Sequence, residues 1–357
     1  MDKVCTLYYK ACIKYGLTPI INDNMGGFFI ELGHQRYAFR CSHVPFNDPG
    51  SATISSNKYC TNKMLEENGL PVPRADAVSK AHPEEVHEAI AELKFPLVVK
   101  PTWDTSCGDD VICGIKDLQT LNTVLGDLYN RYNYISVEEF KAGLRSYRVL
   151  VLHNKVIAVA ERIPAHVIGD GMHNIQQLID LKNIVREKYH DILPLGKIQI
   201  MLETSFIFDD LGITKEYVPQ LDEKIPLRYI CNSTYGGSIV GLELKTICKE
   251  NRELFVKAAN ILNLDYVGFD FLCTDISIPY TQSKGCIIEA NSSPDISIHE
   301  TVIAGTPTIV SEKVVKRFIR DHFFAYLWYR ANHGYASIII RFFIFLALAL
   351  GGYYALA

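Results

Sequence analysis

Residues 160–171 read Ala-Glu-Arg-Ile-Pro-Ala-His-Val-Ile-Gly-Asp-Gly, a strand end, a proline and a tight Gly-Asp-Gly turn ahead of a helical pattern over 174–189. Side chains alternate along a strand, so Arg162 shares a face with Ala158 and Ala160, whose small side chains leave room for a ligand beside the guanidinium. The turn at Gly169-Asp-Gly171 fits a strand-to-helix corner in which Asp170 bonds to local backbone. Just upstream, residues 148–152 and 155–163 flank His153-Asn154 as a hairpin.

Two later apolar stretches carry oxygen ligands. In Tyr266–Cys273, Gly268, Asp270 and Leu272 share one face, opposite Val267, Phe269 and Phe271. A carboxylate on a strand this apolar is costly unless it has a partner. In 285–291 the same period puts Glu289 and Asn291 on one face and Ile288 and Ala290 on the other. If the two strands pair, Asp270 lies near Glu289, and close carboxylates need a cation between them or a raised pKa. Oxygen donors of this kind suit a hard ion such as Mg²⁺. Taken together, the three residues favour a metal site over a solvated strand end.

Basic groups come from elsewhere in the chain. Lys100 closes the strand Leu97-Val-Val-Lys-Pro101, either as an edge lysine or as a ligand at the strand mouth. Arg228 precedes Asn232 and the pair Gly236-Gly237, where backbone N–H groups can approach an anion. Jointly these residues describe a site for a metal-bound polyphosphate.

The 357 residues are 48% hydrophobic and 21% charged, enough for two or three compact lobes. A net charge of −4 without a basic stripe argues against a nucleic-acid partner. The ten cysteines include no C-x-x-C pair, the pattern of free thiols in a reducing cytoplasm. The first residues lack the apolar core of a secretory signal. By contrast, residues 337–357 are almost wholly apolar apart from Arg341. They fit either a membrane-associated tail, with Arg341 snorkelling to headgroups, or a helix buried at a subunit contact of a homo-oligomer. Helices are expected over 58–68, 83–93, 174–189 and 249–263, and antiparallel hairpins mixed with helices predict an α+β fold of two lobes.

From about residue 56 to 294 the chain resembles the ATP-grasp ligases, most closely the modules of cyanophycin synthetase and bifunctional glutathione synthetase. The run 160–171 carries the resemblance, supported by Phe95-Pro-Leu-Val-Val-Lys-Pro101, Val137-Glu-Glu-Phe140, Tyr147-Arg148, Asn232 with Gly236-Gly237, and Ile287-Ile-Glu-Ala-Asn291. It implies an ATP-grasp fold: a reduced preceding segment over 1–52, an N-terminal lobe over 53–140, a C-terminal lobe over 141–315 and a tail over 316–357. It implies that Lys58 and Lys100 hold phosphates under a loop containing Ser106 and Gly108. Glu138 and the backbone of Glu139 and Phe140 would receive adenine, and Ser146 stands where ribose is contacted. Arg162, Arg228 and Asn232 would serve catalysis, and Asp270, Glu289 and Asn291 would hold Mg²⁺, as two ions, with Mn²⁺ as the substitute. The implied reaction is ATP-dependent joining of a small carboxylate and an amine through an acyl phosphate, by a freestanding, cytoplasm-facing module; the alternative is a nucleotide-binding scaffold or sensor at a membrane with weak turnover.

Several positions depart from the family pattern. The phosphate loop has one glycine, Gly108, followed by Asp109 and Asp110, acids that would repel phosphate unless they face away. Tyr229 stands where a second arginine is expected, and Asp295 where a glycine is expected. His166 fits a satisfied structural histidine better than a base.

Overall fold

The computed structural model describes residues 1–103, 110–189, 195–333 and 335–356. The chain divides into two compact units, one formed by Met1–Pro45, Asp295–Ser297 and Ile309–Ala357, the other by Phe46–Pro294 and Ile298–Thr308. In the first, the helix Lys3–Lys14 and the antiparallel meander Ile20–Asn22, Gly27–Leu32, Gln35–Arg40 pack with the helix Val310–Asp321. Its core is aromatic: Phe28 stacks on Phe39 at 4.9 Å, and Phe318 meets Phe39 edge-on at 5.6 Å. Helices Phe323–Asn332 and Tyr335–Leu356 follow.

The second unit holds two main sheets. A four-stranded antiparallel sheet runs in the order Ala75–Ser79, Tyr134–Glu139, Leu97–Pro101, Ile112–Ile115. Leu97, Val99, Ile135 and Val137 bury against the helix Leu118–Leu128. Period-two alternation therefore turns Lys100, Ser136 and Glu138 to the other face. A six-stranded sheet runs Cys286–Asn291, Tyr266–Cys273, Arg145–Leu152, Lys155–Ile163, Ser238–Leu242, Ala304–Gly305, antiparallel except for the last pair. Tyr147, Val149, Val151, Val159, Val267, Phe269 and Phe271 pack under helices Lys58–Glu67 and Lys249–Ile261. Arg148, Arg162, Asp270 and Glu289 take the uncovered face. The α+β architecture is the expected one.

Most local signals read correctly. His153 and Asn154 both take positive φ, as a two-residue hairpin turn requires. Asn57 caps the helix that follows it, and Asn174 opens the helix Ile175–Lys188 with a reciprocal bond pair to Gln177. The helix expected over 83–93 is only a turn of 3-10 helix at Pro83–Glu85 and the short Val86–Ala89; His82 makes no cap bond, and of the stretch Val86 and Ile90 are buried while Ala89 and Leu93 pack at the core's edge. A helix at Pro49–Ser56, capped by Asp48, was not expected.

The strand 285–291 departs from simple alternation. Asp270 pairs with Glu289, yet Phe271 pairs with Ile287, so Ile288 is the extra residue of a bulge. Ile287 and Ala290 both enter the core, and Ile288 does not share Ala290's face as strict alternation predicts.

Phe269, wholly buried between Phe255 and the sheet, anchors the strand that carries Asp270. Phe269→Ala should cost about 3–5 kcal/mol in urea unfolding; a loss under about 1 kcal/mol would mean the site strand is held from elsewhere.

Candidate functional site

Strand register brings Arg148 and Glu289 to either side of Asp270, and Ser146 opposite Arg162. Asp270 is 4% exposed, with Oδ1 2.5 Å from Arg148 Nε and Oδ2 accepting from Arg162 Nη1 at 2.5 Å. Burial alone would raise its pKa, but Arg148 and Arg162 together outweigh burial and hold the carboxyl below the usual aspartate range. Arg162 is affected reciprocally: burial lowers its pKa, Asp270 raises it, and the net shift is upward. Gly268 is required here by close approach, since a Cβ would sit 3.1 Å from Arg148 Nη1 and 2.8 Å from Pro294. Ala160, expected to leave ligand space, is wholly buried directly opposite Arg148.

Glu289 has no hydrogen bond or ion pair among the described residues, and Asn291, opposite Gly268, has a buried Nδ2 without a hydrogen-bond partner. An open carboxylate beside Asp270, with an orphaned amide one residue pair away, fits a hydrated divalent cation and its anionic ligand. All three expected metal residues therefore lie together, but both oxygens of Asp270 are engaged by guanidinium groups.

Lys100 reaches across from the four-stranded sheet. Its Nζ lies 2.7 Å from Glu138 Oε1 and donates to the Ile288 carbonyl at 3.2 Å, the carbonyl that the bulge turns outward. Glu138, 4% exposed, also accepts from Ser136 Oγ. The two expected nucleotide ligands thus pair with each other. The N–H groups of Glu139 and Phe140 donate to the carbonyls of Arg74 and Pro96, both at 2.9 Å. Lys58 opens its helix with its N–H donated to the Thr102 carbonyl at 3.0 Å. Ser146 is buried against the Cys231 thiol, whose pKa is pushed up to about 11 by burial, with Asp270 and Glu203 adding to the rise and Arg162 and Ser146 opposing it. Ser106, Gly108 and Asp109 lie outside the described residues. The Asp110 oxygens accept from Arg131 Nη1 at 2.7 Å and Tyr132 Oη at 2.6 Å.

Arg228, 4% exposed, pairs with Glu203 at 2.7 Å and lies over the Tyr235 ring at 5.3 Å. Glu203 also accepts from the N–H groups of Tyr229 and Ile230 at 2.7 and 3.1 Å. Its burial raises its pKa more than Arg228 and these bonds lower it. Asn232 caps a short turn by accepting from the Thr234 N–H at 2.8 Å, and its carbonyl takes the Gly237 N–H at 2.8 Å, so that N–H is committed within the loop. Arg186 ties the loop down by donating to the carbonyls of Gly196, Ser233 and Gly237. Gly196 is forced by contact, since a Cβ would lie 1.6 Å from the Thr234 carbonyl oxygen. His166 Nδ1 lies 2.9 Å from the Pro164 carbonyl, and burial lowers its pKa. Asp170 bonds the Met172 and His173 N–H groups at 2.9 Å, as the turn predicted.

Three residues were missed as participants: Arg148, Arg186 and Glu203. Arg148 lay within a quoted motif without a role. Glu203 could have been found as the lone acid in the apolar run 201–208, and Arg186 by its spacing of seven from the buried Ile179.

The family model described as a RimK-like ATP-grasp domain matches residues 55–175. This chain contains an ATP-grasp domain. Over 293 residues it is 31% identical to the cyanophycin synthetase of Trichormus variabilis, covering 81% of this chain and 32% of that protein. It is 26% identical to the bifunctional glutathione biosynthesis protein of Listeria innocua, over 88% of this chain and 41% of the relative. The ATP-grasp chain thus spans a third to two-fifths of the curated relatives it matches. In fold it is similar to a bifunctional glutathione synthetase from Pasteurella multocida, with a TM-score of 0.60 and 22% identity, over 90% of this chain and 44% of that one.

Asp270's depressed pKa makes its ionised form a source of stability, fully present above the ordinary aspartate range and lost as pH falls through the folded value. Arg148→Ala should cost about 3–5 kcal/mol near neutrality by leaving a buried charge under-compensated. The variant should also lose the Asp270 contribution at a higher pH than the wild type. Denaturation midpoints whose pH dependences run parallel would contradict this account.

Proposed function

We propose that this site belongs to an ATP-dependent carboxylate–amine ligase that forms an amide or peptide bond on an amino acid or small peptide. One observation carries the reading: three basic groups from separate strands, Lys100, Arg148 and Arg162, gather on Asp270 and the Ile288 carbonyl beside the open Glu289 carboxylate, in a chain whose residues 55–175 match an ATP-grasp domain. Such a surface suits a polyphosphate, whose transfer chemistry needs placement and charge neutralisation more than a protein nucleophile.

In this reading Lys58 and Lys100 bind the phosphates, and Glu138 with the Glu139–Phe140 segment receives the adenine. Nucleotide binding would then exchange the Lys100–Glu138 pair for contacts to ATP. A substrate carboxylate oxygen attacks the γ-phosphorus and ADP leaves, giving an acyl phosphate. The amine nitrogen attacks the acyl carbon, loses a proton, and phosphate departs. Arg162 and Arg228 offset the charge that develops in both steps, with Asn232 shaping the loop between them. Mg²⁺ held by Asp270, Glu289 and Asn291, as two ions, or Mn²⁺ in its place, would supply further neutralisation of the phosphate oxygens. Residues 53–140 and 141–315 would act as the two lobes, preceded by the reduced segment 1–52. The module would work facing the cytoplasm, as a homo-oligomer, with residues 316–357 attaching it to a membrane.

The test is phosphate release from MgATP across a panel of amino acids and dipeptides. Acceptor-dependent release should fall by about 100-fold or more in Glu289→Gln and in Arg162→Ala. Tight ATP binding with no release under any acceptor would instead identify a nucleotide-binding scaffold.

A further inference from the structure

From Ile338 to Leu350 the last helix is exposed at every side chain described, including Phe342 and Phe343 at 61%, Phe345 at 73% and Leu348 at 71%. Successive helical residues turn by about 100°, so the run Phe342-Phe-Ile-Phe345 points in every direction around the axis. An apolar stripe can be covered by one protein partner, including a second copy of this chain; a helix apolar all round must be surrounded, by lipid or by several protein neighbours at once.

The preceding helix, Phe323–Asn332, is organised differently. Phe323, Phe324, Leu327 and Trp328 share an exposed face, while Tyr329 is buried and Tyr326 and Arg330 donate to the Tyr15 carbonyl on the opposite side. The helix axes bend by 95° between this element and the next. A one-sided aromatic helix followed by an all-round apolar one matches an element lying in a membrane interface and one dipping beneath it. Arg341, the one charge in the tail, folds back to the end of the interfacial helix, donating to the Ala331 carbonyl at 3.3 Å and Asn332 Oδ1 at 3.1 Å. Its charge therefore stays at the bend.

Charge selects the kind of surface. Between residues 310 and 341 stand Lys313, Lys316, Arg317, Arg320, Arg330 and Arg341 against only Glu312 and Asp321, and no acid follows Asp321. The two acids are internally engaged, Glu312 by Lys14 and Tyr15 and Asp321 by Arg317. Lys316 and Arg320 are exposed. No single helix among the described residues is long and apolar enough to cross a membrane. Phe342 to Leu350 would reach roughly 14 Å at ~1.5 Å per residue, about half a hydrocarbon core.

We propose that helices Val310–Asp321, Phe323–Asn332 and Tyr335–Leu356 form a monotopic anchor for an anionic lipid bilayer: basic residues on the headgroups, the aromatic face in the interface and the apolar helix within the near leaflet. This deepens the membrane attachment proposed above and is independent of the ligase reading.

The experiment is flotation of the full chain with phosphatidylcholine vesicles and with vesicles that also contain phosphatidylglycerol, over a range of salt. Anionic vesicles should bind at least tenfold more tightly, with the preference fading as salt rises. Lys316→Glu with Arg320→Glu should remove most of that preference, about fivefold per cation. Phe342→Asp with Phe345→Asp should abolish flotation with both vesicles. ATP binding should match the wild type in each variant, which also establishes that the variants fold. Equal binding to both vesicles would overturn the anionic selectivity while leaving attachment intact. No flotation with either, together with a larger oligomer in light scattering, would overturn the anchor in favour of self-association.

Discussion

The site depends on a charge that the fold cannot bury alone. Asp270 sits on an interior strand of an apolar sheet, and only the two guanidinium groups of Arg148 and Arg162 make its ionised form tolerable there. That requirement fixes register on three strands at once: a slip of one residue would send either arginine to the opposite face. The same arrangement concentrates positive charge beside an open carboxylate, Glu289. Under the proposed function, the arrangement that makes Asp270 tolerable would also receive a metal-bound anion.

A bulge completes it. With an extra residue at Ile288, the strand keeps Ile287 and Ala290 in the core while Glu289 stays opposite Asp270, and the Ile288 carbonyl becomes an acceptor for Lys100 from the other sheet. A buried lysine that also holds Glu138 thus ties the four-stranded sheet to the six-stranded one, alongside the Lys116–Asp210 ion pair and the packing of Phe140 on Tyr229. Around Arg228 the principle repeats: Glu203 neutralises the guanidinium and orders two backbone N–H groups, while Arg186 secures the neighbouring loop through three carbonyls. Cations without a carboxylate are held by backbone dipoles.

Much of this was legible in advance. Asp270 in an apolar strand, Arg162 flanked by alanines, and Lys100 after a Leu-Val-Val run are each conspicuous because a charged residue on a core strand needs a reason. Their faces followed from period two, whereas the partner of the Asp110 carboxylate, Arg131, was not read from the sequence. Arg148 and Glu203 were harder, because an arginine or glutamate in a half-buried element reads equally as a surface residue until its partner, 122 and 25 positions away, is known.

The amino-acid order by itself determined which residues face together along each strand, where turns and caps fall, and which fold family the chain enters, because these rest on neighbours within a few positions. Tertiary structure alone decided that Lys100 pairs with Glu138, that both oxygens of Asp270 are taken by arginines, and that a bulge reorients Ile288. Those outcomes are set by the competition among distant charged groups for partners in a dry interior, and no local pattern records which of them meet.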